Sequence, residues 1–320
     1  MDIRNPFEKI YIKDFDGNIL YTSTPILLEE LQSDGSWEVV EVSGLEYDHN
    51  KNQYSDPEKY RFVDNDPEET FRNYRDIHRS EWHRGFDGLK KDVHYALEHN
   101  HFAPSFDKFV EQVLIGGNLF ALLTARGNTP DNLKNALMII NDEILSNEDK
   151  ERQLINIKDR FCLENMSDRE VLEYYFDINC YLPVGNKEFC KIMDISFDTM
   201  YYDKKAIAMD RYISYLDKLS SQGTIITSPS KLWFSDDTYE NIESMLYYFL
   251  DNKINKKGIY NDLDYRLYYT GQDLDTHQDR LQHAFSNNVL YDRAVLSFEK
   301  QKSSYTRKDF DILKINIDKK

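Results

Sequence analysis

The sequence contains few cysteines and no long hydrophobic segment. Its three cysteines, Cys162, Cys180 and Cys190, are odd in number and far from any C-x-x-C spacing. A disulfide framework and a structural zinc site are therefore poorly supported. No run of about 18 apolar residues occurs, and the first residues lack the apolar stretch of a secretion signal. We therefore expect a cytoplasmic protein in a reducing compartment, with no membrane partner.

Positive charge is also scarce. Lys and Arg number 40 against 57 Asp and Glu, so the formal net charge is −17. This excess opposes general attraction to phosphate backbones, so a nucleic-acid partner is not indicated by charge, although a local basic pocket is compatible with it. Aromatic residues make up 14% of the 320 residues, which is ample material for a sizeable core. The oligomeric state is not predicted.

Three apolar runs typical of buried strands each end in polar side chains of a particular kind. The runs span residues 10–12, 119–123 and 232–235, and the polar residues after them are Asp14 with Asp16, Thr124, and Asp236 with Asp237. The carboxyl ends of parallel strands lie at one edge of a sheet. We therefore expect these side chains, which are far apart in sequence, to meet in one crevice.

These residue types favour phosphoryl chemistry. A carboxylate such as Asp14, held at a strand end, can attack phosphorus to give an aspartyl-phosphate, which divides one hard displacement into two easier ones. Asp16 can protonate the leaving oxygen and later take a proton from water. Carboxylates gathered in one crevice repel each other, and a hard cation with oxygen ligands relieves this repulsion. Mg²⁺ is the predicted cofactor, with Asp14, Asp236 and Asp237 as ligands.

The order of these residues resembles the haloacid dehalogenase superfamily. The motif D-x-D-G-x-x-L of that family, its threonine, its helix-borne lysine and its acidic pair correspond to residues 14–20, Thr124, Lys205, and Asp236 with Asp237. The resemblance implies a Rossmann-like α/β fold and metal binding through the backbone carbonyl of Asp16. Asn18 stands where many members have threonine, a departure that leaves both aspartates in place.

The resemblance also implies roles for the threonine and the lysine. Thr124 would hold a phosphoryl oxygen through its hydroxyl, and Lys205 would offset negative charge on the equatorial oxygens. Lys204 is the alternative site lysine; Lys205 is preferred because the large apolar residue Met209 follows four positions later, as in the family. Asp16 favours a phosphatase over a dehalogenase, since dehalogenase-like members lack an acid there.

An insertion is predicted between the first two motifs, over residues 28–104, as a largely helical cap. In the family such a cap often covers the active site and selects the substrate. A predicted helix in this insertion carries Arg75 and Arg79, which are candidate substrate-binding residues together with Arg126 and Gly127. The alternatives are a solvated helix face for the first two and, for Arg126, a structural role in orienting the loop after Thr124.

The predicted fold class is α/β, with a mostly parallel sheet flanked by helices. The catalytic core is expected to comprise residues 1–27 and 105–300, with residues 147–203 as a second elaboration, and residues 301–320 form a tail. The predicted function is Mg²⁺-dependent hydrolysis of a small phosphorylated substrate, a phosphomonoester. Two alternatives stay open: a non-catalytic binding or structural protein with this fold, and a phosphatase for nucleotide or polynucleotide ends.

Overall fold

A central β-sheet organises the chain. The computed structural model describes residues 9–76, 85–221, 231–254, 264–271 and 294–298. Within them, the strands are β1 (Lys9–Lys13), β2 (Pro25–Leu31), β3 (Trp37–Ser43), β4 (Tyr60–Phe62), β5 (Phe120–Thr124), β6 (Cys180–Pro183), β7 (Lys231–Asp236), β8 (Asp264–Tyr269) and β9 (Ala294–Phe298).

The large sheet has the order β6-β5-β1-β7-β8-β9, and its first five strands are mutually parallel. The last strand, β9, pairs antiparallel with β8. All five residues of β5 are buried, which is typical of a parallel strand covered on both faces. The predicted α/β class and the mostly parallel sheet are therefore confirmed.

Helices connect the strands and cover the sheet. They are α1 (Gly44–His49), α2 (Lys51–Tyr54), α3 (Pro67–Thr70), α4 (Gly85–Glu98), α5 (Phe106–Lys108), α6 (Pro130–Ile144), α7 (Asn147–Phe161), α8 (Asp168–Ile178), α9 (Lys187–Ile192), α10 (Tyr201–Ser221) and α11 (Tyr239–Ile254), with 3-10 turns at Val63–Asn65 and Arg72–Tyr74 and a π-helical stretch at Phe109–Ile115. Among the described residues, no helix combines the length and the apolar character needed to cross a membrane.

Local signals explain where several helices begin. The Thr129 hydroxyl accepts a hydrogen bond from the backbone of α6, whose first residue is Pro130. A side-chain cap and a proline at the first helical position therefore both favour the start of α6 at this point. Ser167 and Glu170 form a reciprocal capping box at the start of α8. The stretch 147–203, predicted only as a second elaboration, contains α7, α8 and α9, and it contributes β6 to the edge of the main sheet.

The segment 28–104 is less helical than predicted. Together with the preceding residues it forms a three-stranded antiparallel sheet of order β3-β2-β4. This sheet has a small core of its own, built from Ile26, Leu28, Val42 and Tyr60. On β3, Val40 and Val42 pack on this core and alternate with exposed residues, which is the pattern of a half-exposed antiparallel strand, whereas β2 is buried at four consecutive positions.

The predicted helix carrying Arg75 and Arg79 does not form as expected. Over residues 67–76, the part of this region that the structure describes, there are only α3 and a single 3-10 turn, after which Arg75 is extended (φ −122°, ψ 148°). The Gly127 N–H donates to the Tyr74 carbonyl at 2.9 Å, so pairing with a distant loop replaces helical hydrogen bonds here. Arg75 is consequently buried rather than on a solvated face. Arg79 lies outside the described residues, as does the predicted tail 301–320.

Candidate active site

Three adjacent strands bring the predicted residues to one edge of the sheet. The order β5-β1-β7 places Thr124, Asp14 and Asp236 at neighbouring carboxyl ends. The Asp14 N–H donates to the Ser235 carbonyl at 3.1 Å, so the ladder between β1 and β7 holds the first aspartate in place. Asp14 is 6% exposed and Asp236 is fully buried. Sequence positions over 200 residues apart therefore form one site.

Lys205 lies between two of the carboxylates. Its Nζ is 3.0 Å from Asp14 Oδ2 and 2.6 Å from Asp236 Oδ2, and the side chain is buried. Burial raises the pKa of Asp14 well above its ordinary value, with Asp236 and Asp237 adding to the rise and Lys205 opposing it. Burial alone would lower the pKa of Lys205, but the two carboxylates raise it above its usual range. Of the two candidate lysines, Lys205 is therefore the one at the carboxylate cluster.

Asp14, Asp236 and Asp237 form a carboxylate cluster that fits a divalent cation. One oxygen from each of these three side chains lies within 4.8 Å of the others. Asp236 Oδ1 accepts from the Thr238 N–H and from Asn241 Nδ2, both at 2.9 Å, which fixes its orientation. An all-oxygen, multiply negative donor set of this kind suits Mg²⁺. These residues are the ones expected from the sequence to hold it.

The Asp16 carboxylate does not belong to this cluster. Arg126 donates two charge-assisted hydrogen bonds to it, from Nε to Oδ2 and from Nη2 to Oδ1, each 2.7 Å long. The Thr22 hydroxyl also donates to Oδ1, at 2.6 Å. Arg126 is 1% exposed, and its Nη2 donates further to the Thr24 hydroxyl. The guanidinium thus holds the Asp16 side chain in place from the loop after β5, a contact that the sequence analysis did not anticipate.

The loop after β5 is closely packed. Thr124 Oγ1 accepts from the Arg126 N–H at 3.2 Å, which leaves its hydroxyl hydrogen available to a ligand. An added Cβ on Gly127 would lie 2.7 Å from Arg75 Cγ, so only glycine allows this approach of the two segments. The Gly127 N–H is used by Tyr74, and its carbonyl accepts from Asn186 Nδ2 at 3.1 Å. Gly127 therefore lines the site chiefly as a backbone contact.

Asn18, the departure from the family motif, has a clear structural role. It is fully buried, its Nδ2 donates to Thr270 Oγ1 at 2.8 Å, and its Oδ1 accepts from Ser235 Oγ at 2.9 Å. The side chain thus ties the motif loop to residues at the ends of β7 and β8. A buried amide with both ends satisfied is tolerated and orients its surroundings, so asparagine holds the aspartate-bearing loop in place.

Replacing Gly17 by alanine is expected to disturb the carboxylate cluster. Gly17 has a φ of +66°, and an added Cβ would lie 2.5 Å from Asp237 Oδ2. We expect the free energy of unfolding to fall by about 1–2 kcal/mol from the left-handed backbone, and Mg²⁺ affinity to fall because Asp237 must move. Gly35→Ala is the matched control, since Gly35 has a φ of +85° and no neighbouring atom within 4 Å. Equal Mg²⁺ affinities of both variants by calorimetry would contradict the expectation.

A cavity of about 390 Å³ opens beside the carboxylate cluster. Asp14, Asp16, Thr124, Arg126 and Asp237 lie on its wall together with Arg75. The wall also carries Glu240 and five aromatic residues, which are Tyr47, Phe71, Tyr74, Tyr201 and Tyr202. Sequence reasoning did not place these aromatic residues at the site, because single rings on separate helices and turns form no motif. Their only signal was the high tyrosine content of the chain.

Comparison with known proteins adds no assignment. No protein-family model matches this chain, and no curated protein and no solved structure matches it at a significant level. The chemistry of the site is therefore inferred from its own side chains. These are a strand-end aspartate beside a lysine, two further carboxylates, a second aspartate clamped by an arginine, and an adjoining cavity.

Proposed function

We propose that this protein is a Mg²⁺-dependent phosphohydrolase of the haloacid dehalogenase type, which cleaves a phosphomonoester through an aspartyl-phosphate on Asp14. The observation that carries the proposal is the position of Asp14. It lies at the end of a buried parallel strand, 3.0 Å from the Lys205 ammonium, on the wall of a cavity large enough for a small substrate. The order of the site residues along the chain supports the same family.

Asp14 is held in a suitable orientation for attack. Its Oδ1 accepts from the Phe15 N–H at 2.8 Å and its Oδ2 from Lys205, so the carboxylate is aligned before the substrate binds. In the first step, an oxygen of Asp14 bonds to phosphorus while the bond to the leaving oxygen breaks. Lys205 and the Thr124 hydroxyl stabilise the negative charge of the transferring phosphoryl group.

Mg²⁺ would be held by Asp14, Asp236 and Asp237 and would neutralise negative charge on the phosphoryl group. The carboxylate cluster brings three carboxyl groups together beside the single positive charge of Lys205. A divalent cation is therefore the complement that would allow a phosphate dianion to approach. We also propose that the backbone carbonyl of Asp16 would bind the same Mg²⁺ ion.

Asp16 is proposed as the general acid and base. It lies on the cavity wall with Asp14 and is held by Arg126 and Thr22. In its protonated form it gives a proton to the leaving oxygen, and as a carboxylate it then takes a proton from the water that hydrolyses the aspartyl-phosphate. The ion pair with Arg126 suits the second step, in which Asp16 must begin as a carboxylate. Arg126 thus acts as a positioning residue for Asp16.

Residues 28–104 are proposed to act as a cap that selects the substrate. Tyr47, Phe71 and Tyr74 come from this segment and line the same cavity as Asp14 and Thr124. Tyr74 also packs on the Arg126 guanidinium, with 4.6 Å between the guanidinium carbon and the ring centroid. The segment is therefore connected to the proposed general acid as well as to the substrate space.

The test is hydrolysis of an aryl phosphate by the purified protein, with Mg²⁺ and with a chelator. Phosphate release should require Mg²⁺, and hydroxylamine added during turnover should trap an acyl-phosphate on the protein. Calorimetry measures Mg²⁺ binding independently of turnover. Absence of both Mg²⁺ binding and turnover would sink the proposal and would leave a non-catalytic binding protein as the interpretation of this fold.

A further inference from the structure

Two buried cations beside the cavity lack a carboxylate partner. Arg75 is 8% exposed and Lys204 is 2% exposed. Among the described residues, neither forms an ion pair. Arg75 donates only to the Gly185 carbonyl at 2.8 Å and to the Tyr201 hydroxyl at 3.4 Å, and its buried Nε has no hydrogen-bond partner in the described part of the chain. Burying a charge without a partner is unfavourable, so an occupant of opposite charge is indicated.

The same aromatic rings bring the two cations together. The guanidinium carbon of Arg75 and the Nζ of Lys204 lie 5.8 and 3.9 Å from the ring centroid of Phe197. Nζ of Lys204 is also 4.7 Å from the ring of Tyr201, the residue whose hydroxyl accepts from Arg75. Burial lowers the pKa of Lys204 and the positive charge of Arg75 lowers it further, while Cys190, Asp198 and Glu68 oppose this fall. Like charges are therefore held close together.

A third cation nearby, Lys187, differs from Arg75 and Lys204 in having a carboxylate partner. Lys187 Nζ is 5.1 Å from the Phe197 ring, but it is 2.9 Å from a carboxylate oxygen of Glu68. Asp76, which follows Arg75 in sequence, accepts instead from the amides of Asn128 and Asn132. These two carboxylates thus have other partners. Asp198, which also acts electrostatically on Lys204, is exposed and forms no ion pair with it among the described residues.

This cation pair adjoins the proposed phosphoryl site. Arg75 lies on the wall of the same cavity as Asp14, and so does Tyr201, which contacts both cations. Lys204 and Lys205 are consecutive on α10, where neighbouring side chains point about 100° apart. Lys205 contacts the carboxylate cluster, whereas Lys204 contacts the rings beside Arg75. Adjacent lysines of α10 therefore contact two different sites, the carboxylate cluster and the rings beside Arg75.

We propose that Arg75 and Lys204 form a second anion site, and that the substrate is a nucleotide carrying a second phosphoryl group, such as a nucleoside bisphosphate. This inference rests on the proposed function and names its substrate class. The pair of cations matches a phosphoryl group that is not cleaved. The aromatic wall offers rings on which a planar base can stack, and the cavity of about 390 Å³ suits a small ligand. The net charge of −17 disfavours a long polynucleotide.

Kinetics on paired substrates test the second site. The probes are adenosine 3′,5′-bisphosphate and adenosine monophosphate, and the variants are Arg75→Gln and Lys204→Met. Wild-type protein should prefer the bisphosphate by at least about tenfold in kcat/KM, and each variant should lose most of this preference through a higher KM. Lys187→Met, which removes a nearby cation already paired with Glu68, should change the preference by less than about twofold. Equal kcat/KM for the two wild-type substrates would overturn the inference.

Binding without turnover separates this inference from the proposed function. In an Asp14→Asn background, calorimetry should show tighter binding of the bisphosphate than of the monophosphate, and adding Lys204→Met should remove the difference. That result without any hydrolysis by the parent protein would leave the second anion site standing and refute the phosphohydrolase.

Measuring the unfolding temperature of the Lys204→Met variant shows whether the substitution disturbs folding. Lys204→Met removes a buried, unpaired charge and should not lower the unfolding temperature of the ligand-free protein. A clear fall in that temperature would show that Lys204 is a structural residue and would overturn its role in the anion site.

Discussion

Asp14→Asn is expected to reduce turnover by at least about 10⁴-fold, the scale seen when a covalent nucleophile is removed. The amide keeps the size and hydrogen-bonding shape of the carboxylate, but its oxygen is a poor nucleophile and cannot give an aspartyl-phosphate. Hydroxylamine should therefore trap no acyl-phosphate in the variant. Phosphate release from an aryl phosphate and the trapping reaction measure both effects on the same preparation.

The loss should not arise from unfolding. Burial raises the pKa of Asp14, so in the metal-free protein its ionisation opposes folding: stability falls as the pH rises from the ordinary carboxyl pKa, near 3.8, through the raised folded value. The amide of the variant carries no such charge, and with a chelator at neutral pH the variant should be at least as stable as wild type. Asp107→Asn, on an exposed side chain, is the matched control and should keep full activity. Turnover within tenfold of wild type in the Asp14 variant would exclude the covalent mechanism.

Lys205→Met is expected to lower the free energy of unfolding of the metal-free protein by about 3–5 kcal/mol at neutral pH. The reason is that Lys205 is the cation between the buried carboxylates of Asp14 and Asp236, at 3.0 and 2.6 Å. Methionine fills a similar volume but leaves these charges without compensation. Chemical denaturation of both proteins in the presence of a chelator measures the difference.

The pH dependence identifies the cause. Protonation removes the charge of the carboxylates, so the destabilisation by Lys205→Met should shrink as the pH is lowered. Added Mg²⁺ should likewise restore part of the stability, because it supplies positive charge to the same carboxylates. Lys134→Met, which breaks the exposed pair with Asp177, should change stability by less than about 1 kcal/mol. A loss of that small size for the Lys205 variant would refute the role assigned to the buried lysine.

The strand ends show which parts of the site can be predicted from sequence. A continuous apolar run followed by Asp14, Thr124 or Asp236 is a local pattern, and a parallel sheet necessarily brings such ends to one edge. The observed order β5-β1-β7 makes these ends direct neighbours. Predicting the carboxylate cluster therefore required only short segments and a general rule of topology.

The contacts of Asp16 and Arg75 could not be predicted from local sequence patterns. The partner of Asp16 is Arg126, which is 110 positions away, and no spacing rule connects the two. The helix predicted around Arg75 is replaced by an extended residue that pairs with Gly127, because tertiary hydrogen bonds outweigh a weak local helix preference. The arginine expected on a solvated face or a cap surface consequently became a buried cation.

By itself, the sequence determined the α/β class, the strands that bear the acidic residues, and the pattern that resembles a phosphohydrolase, since these depend on periodicity and on residues close together in the chain. Only the tertiary structure decided that Lys205 lies between the carboxylates while Lys204 faces the rings beside Arg75, and that Arg126 clamps Asp16. The physical reason is that burial and charge pairing depend on which side chains meet across the fold, and those contacts join segments that no local pattern relates.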